Sequence, residues 1–276
     1  MKPSLFPARI ILTIFLIMHV TTAIAQEPPE PFLKTLEPHK PIYIMNSWFL
    51  NSEGSEQGYD DREALIQFSF KKRLFWMLYF GYSHKAFWQI YDLENSRPFR
   101  EQNYNPEAFL EFPDTWGFEM LRLGLAEHES NGEKKRYDEE TEINYSRTWD
   151  RSYVYAWKNI TAYLGLGIKM WVVTSPKTEE YSAFYDDNAD MQQYMGSGEL
   201  YLTLGDSLFN LAFTFRRGWK GDTDTYWVDG RMPIHYLFDS EDLGVDFYTR
   251  YFCGYGESLI DYNRKVTKFA FGVSFR

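Results

Sequence analysis

The segment Glu127-His128-Glu129-Ser130-Asn131-Gly132 places an imidazole and a hydroxyl two residues apart. In an extended chain both face one side, with Cα atoms ~6.6 Å apart at about 3.3 Å rise per residue. Across that gap an imidazole can take the proton of a serine hydroxyl, as acyl transfer by an activated serine requires. The chemistry also needs a group that orients the imidazole and donors for an oxyanion. Asp150 is the acceptor expected to orient His128. A strand beginning after residues 133–144 would run antiparallel beside the first and carry Asp150 near its top. Gly132 leaves room for backbone N–H groups to face an oxyanion. A plainer reading stands beside this one: polar residues on a wet rim, with Asp150 paired to Arg147 or Arg151.

The elements that must hold these residues are strands. Ile66, Phe68 and Phe70 alternate with Leu65, Gln67 and Ser69. Leu121, Leu123 and Leu125 share one parity, as do Tyr153, Tyr155 and Trp157. Leu164 to Met170, Leu200 to Leu204, Phe209 to Phe215 and Phe269 to Phe275 repeat the pattern. Such period-two alternation marks strands with one apolar face. Pro113-Asp114, Lys158-Asn159, Gly205-Asp206 and Gly218 to Gly221 read as turns. Short turns alternate with longer polar stretches such as 131–145 and 175–197. The expectation is an all-β, transmembrane antiparallel β-barrel of about twelve strands, with short periplasmic turns and long outer loops. An exported β-sandwich is the soluble alternative. One parity conflict is visible: His128 shares its parity with Arg122, while the leucine stripe has the other. A lipid-facing His128 then implies a lipid-facing Arg122 unless a bulge intervenes.

The first residues assign the compartment. Lys2 and Arg9 precede an apolar run from Ile10 to Val20, and Ala23-Ile24-Ala25 is a small-x-small cleavage signature. Residues 1–25 read as a secretory signal peptide. Residues 26–41 read as a Pro- and charge-rich periplasmic leader, and 42–276 as a single barrel domain. The formal net charge of −10 makes nucleic acid a poor partner. A single cysteine, Cys253, excludes an internal disulfide. Aromatic residues make up 19% of the chain while its average hydropathy is polar, which suits aromatic girdles around a polar interior.

Several blocks together are similar to the outer membrane phospholipase A family of Gram-negative bacteria. They are Gly81-Tyr82-Ser83-His84, Ser96-Arg97-Pro98-Phe99-Arg100-Glu101-Gln102-Asn103-Tyr104-Asn105-Pro106-Glu107 and His128-Glu129-Ser130-Asn131-Gly132. Ser146-Arg147-Thr148-Trp149-Asp150-Arg151 and Gly254-Tyr255-Gly256-Glu257-Ser258-Leu259-Ile260-Asp261-Tyr262-Asn263 follow in family order. The resemblance implies a twelve-stranded outer-membrane barrel. It would hydrolyse phospholipid acyl esters of A1, A2 and lysophospholipid type at the outer leaflet, as a calcium-dependent homodimer. By motif, Ser130 would be the nucleophile and His128 its base, with Asp150 where the family has an orienting asparagine. Calcium would be held by Ser146 through its side chain, by the Glu133 carbonyl and by the Ser96 carbonyl of a second subunit. The loop from Gly132 to Ser146 is longer than the family pattern, which leaves the Glu133 correspondence open. Its acidic run, Glu133, Asp138, Glu139, Glu140 and Glu142, reads as a solvated loop in preference to carboxylates that alter the site. His84 stands where the family has a glutamine at the dimer interface, and a lipid-interface or lumen histidine is the alternative. The Gly254 to Asn263 block reads as an outer loop without a catalytic role, and His39 and His235 as structural. The rival function is a passive barrel or pore that has lost the activity.

Overall fold

The computed structural model describes residues 35–51, 60–133, 135–138, 141–174, 188–238 and 241–276. The expected signal peptide and residues 26–34 of the expected leader lie outside these. Twelve antiparallel strands close into a barrel. They are β1 (Ile42–Phe49), β2 (Arg62–Phe75), β3 (Leu78–Trp88), β4 (Phe99–Thr115), β5 (Phe118–Ser130) and β6 (Thr148–Asn159). The rest are β7 (Leu164–Val173), β8 (Gly198–Gly205), β9 (Asn210–Arg217), β10 (Asp224–Pro233), β11 (Val245–Gly254) and β12 (Val266–Phe275). Each strand pairs with its sequence neighbour, and β12 pairs with β1 from Phe275–Ile42 to Lys268–Phe49. Closure gives every strand two hydrogen-bonded neighbours, which a sheet immersed in hydrocarbon requires.

The alternation sorts side chains as expected. Leu166, Leu202, Phe213, Val228, Tyr251, Phe269 and Trp48 pair in turn across seven strands and form a continuous outward apolar band. Trp76-Met77 and Trp116-Gly117 make two-residue turns at one end, where Trp116 and Phe75 are exposed. The expected turn at Pro113-Asp114 is instead the end of β4. Pro113 still pairs with Met120, and the chain reverses at Gly117, whose φ of +78° suits glycine. Loops at the opposite end are longer. One of them carries a small hairpin, Lys135–Asp138 with Thr141–Asn144.

The interior is polar and charged. Buried there are Glu63, Lys71, Arg100, Glu107, Glu111, Glu127, Arg151, Arg216 and Lys268. Glu107, Glu127, Arg151 and Arg216 line a cavity of about 460 Å³. The charges are paired, as buried charges must be. Arg100 bridges Glu63 at 2.9 Å and Asp261 at 2.6 Å, while Lys268 bridges Glu63 and Glu257 at 2.5 Å each.

The Gly254 to Asn263 block lies in the outer-end loop between β11 and β12 and folds inward, with Glu257, Ser258, Leu259 and Asp261 buried. The backbone N–H groups of Leu259 and Ile260 donate to the Glu101 carboxylate, which draws the segment into the barrel mouth. The end of the expected leader also meets the barrel. Glu37 and Pro38 pair with Lys71 and Phe70 of β2 and continue the wall. His39 and Lys40 turn into the lumen, where His39 stacks on Phe109 and its Nε2 lies 2.7 Å from Glu107 Oε1. His39 is thus structural, as expected.

Candidate active site

The parity conflict is resolved by a β-bulge in β5. Phe109 faces Gly124, yet Ala108 faces Ala126, so β5 spends one extra residue at this point. The same residue is extra against β6, where Gly124 faces Tyr153 and Glu127 faces Arg151. Local packing accounts for it. The Tyr153 ring lies across Gly124, where a Cβ would meet Cδ1 at 2.2 Å. The Ser152 hydroxyl donates to the displaced Leu125 carbonyl at 2.9 Å, replacing a lost ladder bond.

Every side chain above the bulge changes face. Below it, Leu123 and Leu125 are exposed on the outer wall while Arg122 points inward, donating to Glu111 Oε2 at 2.6 Å. Above it, Glu127 and Glu129 line the lumen. Glu127 pairs there with Lys169 at 2.9 Å and Arg151 at 3.2 Å. His128 and Ser130 therefore face outward at the end of β5, opposite the short turns.

His128 lies directly opposite Asp150 on β6, and Ser130 opposite Thr148. Nδ1 of His128 donates to Asp150 Oδ1 at 2.7 Å. That is the short distance of a charge-assisted bond. It fixes the tautomer whose Nε2 carries the lone pair. The His128 side chain is 43% exposed. Ser130 shares its outward face, but no hydrogen bond joins it to His128. Such contacts tighten when substrate binds. Asp150 is thus a partner of His128 rather than of Arg147 or Arg151. Arg151 instead bonds Glu129 Oε2 at 2.8 Å from the lumen side.

Asn105, Pro106 and Asn131, to which the sequence reading gave no role, hold this pair. The register that sets Tyr104 opposite Ser130 and Glu107 opposite Glu127 sets Pro106 opposite His128. Proline has no N–H to give the ladder. The Asn105 side-chain amide supplies the missing donor, reaching the His128 carbonyl at 2.7 Å. A proline inside a strand is a readable signal of such an arrangement. Beyond Ser130, buried Asn131 clamps the loop. Its Oδ1 accepts the N–H groups of Glu133 and Arg147 at 3.2 and 3.0 Å, and its Nδ2 donates to the Tyr145 carbonyl at 2.7 Å. Gly132 follows with φ +62°, where a Cβ would meet Tyr104 Cε2 at 3.2 Å.

Tyr104 links Ser130 to His84. His84 pairs with Tyr104 across β3 and β4, and the two rings meet edge-on at 4.9 Å. His84 also lies opposite Phe68, an exposed residue of β2, so it belongs to the outer wall and not to the lumen.

The three residues expected to hold a metal fall into two places. Glu133 and Ser146 are brought together, because Asn131 binds both sides of their loop. The N–H of Ser146 is held by Asn144 Oδ1 at 3.0 Å, and the Arg147 guanidinium donates to the Ser146 carbonyl at 2.8 Å. The Ser146 carbonyl is thereby occupied and its hydroxyl is the oxygen left to offer. A hydroxyl, the Glu133 carbonyl and carboxylate oxygens suit calcium, which takes oxygen ligands only. Ser96 stands apart, exposed in the loop between β3 and β4 with φ +61°. Phe99 at the outer end of β4 is five residues from Tyr104, or ~17 Å of strand. The side chains of Asp138, Glu139, Glu140 and Glu142 lie outside the described residues.

The chain resembles known proteins over most of its length. The family described as phospholipase A1 matches residues 25–275. The putative phospholipase A1 of Neisseria meningitidis is 30% identical over 86% of this chain and 64% of its own length. The phospholipase A1 of Escherichia coli K12 is 32% identical over 70% of this chain and 60% of its own length. The chain thus spans just under two thirds of both relatives. Among solved structures, outer membrane phospholipase A from E. coli superposes with a TM-score of 0.72 at 27% identity, covering 88% of this chain and 98% of that one. A Salmonella typhi outer membrane phospholipase, described as a dimer with bound calcium, gives 0.72 at 26% identity over 91% and 94%.

Proposed function

The chain belongs to the phospholipase A1 family of outer-membrane barrels, and on that premise we propose that it hydrolyses the acyl esters of glycerophospholipids with Ser130 as nucleophile. The observation that carries this reading is the His128–Asp150 pair at 2.7 Å, outward-facing beside Ser130 above the bulge. His128 Nε2 takes the Ser130 proton as Oγ attacks the ester carbonyl. The same nitrogen returns it to the leaving lysophospholipid, and water then frees the fatty acid by the reverse sequence. Asp150 holds the imidazole and offsets the charge it gains. The backbone N–H at Gly132, in a left-handed turn that only the Tyr104 ring approaches, is the donor assigned to the oxyanion.

The outward placement explains how a lipid enzyme can work from a barrel whose lumen is packed with paired charges. The reacting groups stand beside the apolar band, where an acyl chain already lies. That packed lumen, a cavity of about 460 Å³ crossed by ion pairs, also argues against the pore reading. Calcium, when bound, would polarise the ester carbonyl and help to stabilise the oxyanion. Glu133 and Ser146 of one chain with the partner subunit's Ser96 would hold it. The wall carrying His84 and Tyr104 would then be the homodimer interface, with His84 beside the acyl groove. A2 and lysophospholipase activities belong to the same proposal, since the outward site meets lipid directly.

The test is fatty-acid release from phosphatidylethanolamine in detergent micelles, with calcium and with chelator, for wild type and Ser130→Ala. Calcium-dependent release by wild type alone supports the whole reading. Calcium-independent release lost in Ser130→Ala keeps the serine and removes the metal. Folded, crosslinkable dimers without release return the chain to the passive barrel.

A further inference from the structure

The position of His128 depends on a segment far from it in sequence. Its carbonyl faces Pro106, which has no N–H to give, and accepts from the Asn105 amide at 2.7 Å. An amide can turn over and present oxygen instead of nitrogen. What prevents this is Lys40, whose ammonium group donates to Asn105 Oδ1. Nδ2 is thereby aimed at His128. Lys40 is itself well held. Its backbone N–H donates to Ser69 Oγ at 3.0 Å, and its Nζ lies 3.3 Å from Glu107 and 3.5 Å from Glu127. Glu127 immediately precedes His128, so one ammonium group touches both supports of the base, the amide beneath its carbonyl and the carboxylate beside it.

We propose that Lys40 is a positioning residue for the reaction, and that the segment Glu37 to Pro41 sets His128 from the lumen side through Asn105. This rests on the acyl-hydrolase reading of Ser130 and His128. The segment extends the wall where β1 alone would end, pairing with Lys71 and Phe70. A residue arriving from the short-turn end thus governs a group at the outer rim. Lys40 touches neither substrate nor the reacting atoms. Its effect is on where the imidazole stands and so on kcat rather than on lipid binding.

The experiment uses the full chain and compares wild type, Lys40→Met, Lys40→Arg, Asn105→Ala, the double variant Lys40→Met/Asn105→Ala and Arg231→Met. Arg231 lines the same lumen and lies over Tyr248, which controls for the loss of a lumenal cation. Folding is scored by heat-modifiable gel mobility. Activity is read as kcat and KM on phosphatidylethanolamine micelles, and as the rate at which a long-chain alkyl fluorophosphonate labels Ser130. Misplacement of a catalytic group by about 1 Å can cost on the order of a hundredfold. We expect kcat and labelling rate to fall about tenfold to a hundredfold in Lys40→Met and Asn105→Ala with KM unchanged, and no further in the double variant. Lys40→Arg should recover most of the loss and Arg231→Met should show none. Equal losses in Lys40→Met and Arg231→Met, or additive losses in the double variant, would overturn the proposal. So would a folded Lys40→Met with wild-type kcat. An inactive, unlabelled wild type would instead remove the acyl-hydrolase reading itself.

Discussion

Replacing Asp150 by alanine removes the one acceptor bonded to His128 Nδ1, at 2.7 Å. A hydrogen bond to a charged group contributes roughly 1.5–3 kcal/mol. The exposure of the His128 side chain, 43%, lets water compete and places this one near the lower end. A loss of about 1.5–2 kcal/mol in the transition state is a fall in kcat of about tenfold to thirtyfold, at about 1.4 kcal/mol per decade. Asp150→Asn keeps an oxygen acceptor at the same place. With that oxygen toward Nδ1 the useful tautomer survives, and the variant should retain most of the activity. It loses only the charge that offsets the imidazolium. The assay is kcat on phosphatidylethanolamine micelles with calcium, on protein whose folding is verified by heat-modifiable mobility. Wild-type kcat in Asp150→Ala would refute the assigned role. Asp150→Asn falling as far as Asp150→Ala would show that charge, not orientation, is what Asp150 supplies.

Gly132→Ala puts a side chain at φ +62° and within 3.2 Å of the Tyr104 ring, so we expect about 1–2 kcal/mol of strain and a lowered kcat with little change in KM, read by the same micelle assay. Deleting Leu125 removes the extra residue of β5, so the shortened strand alternates without a bulge and still carries His128 and Ser130 outward in the same register. Fluorophosphonate labelling of Ser130 should persist in the folded variant, and its loss would contradict the assigned bulge. Arg100→Met leaves Glu63 and Asp261 buried with a missing partner, which should cost about 3–5 kcal/mol and show as a lower unfolding midpoint in denaturant. Activity should also fall tenfold per pH unit once acid protonates His128 Nε2, because only the neutral imidazole can accept the Ser130 proton. A rate that is flat in acid would exclude His128 as base.

The sequence by itself determined the sheet, its alternation, the approach of Asp150 to His128 and the family. Those are properties of residue type and spacing, since a period of two forces one face to lipid and an antiparallel return brings 150 beside 128. The tertiary structure decided which face the chemistry occupies. Leu121, Leu123 and Leu125 predict one orientation of β5, and His128 and Ser130 demand the other. The conflict is legible, yet its location is not, because the bulge depends on the Tyr153 ring crossing Gly124 and on Ser152 capping the Leu125 carbonyl. Neither partner is near in sequence. The same holds for Lys40 and Asn105, and for Glu101 holding Leu259 and Ile260. Buried polar groups must find partners wherever the closed wall puts them, and only closure brings residues 40, 105 and 128 to one place.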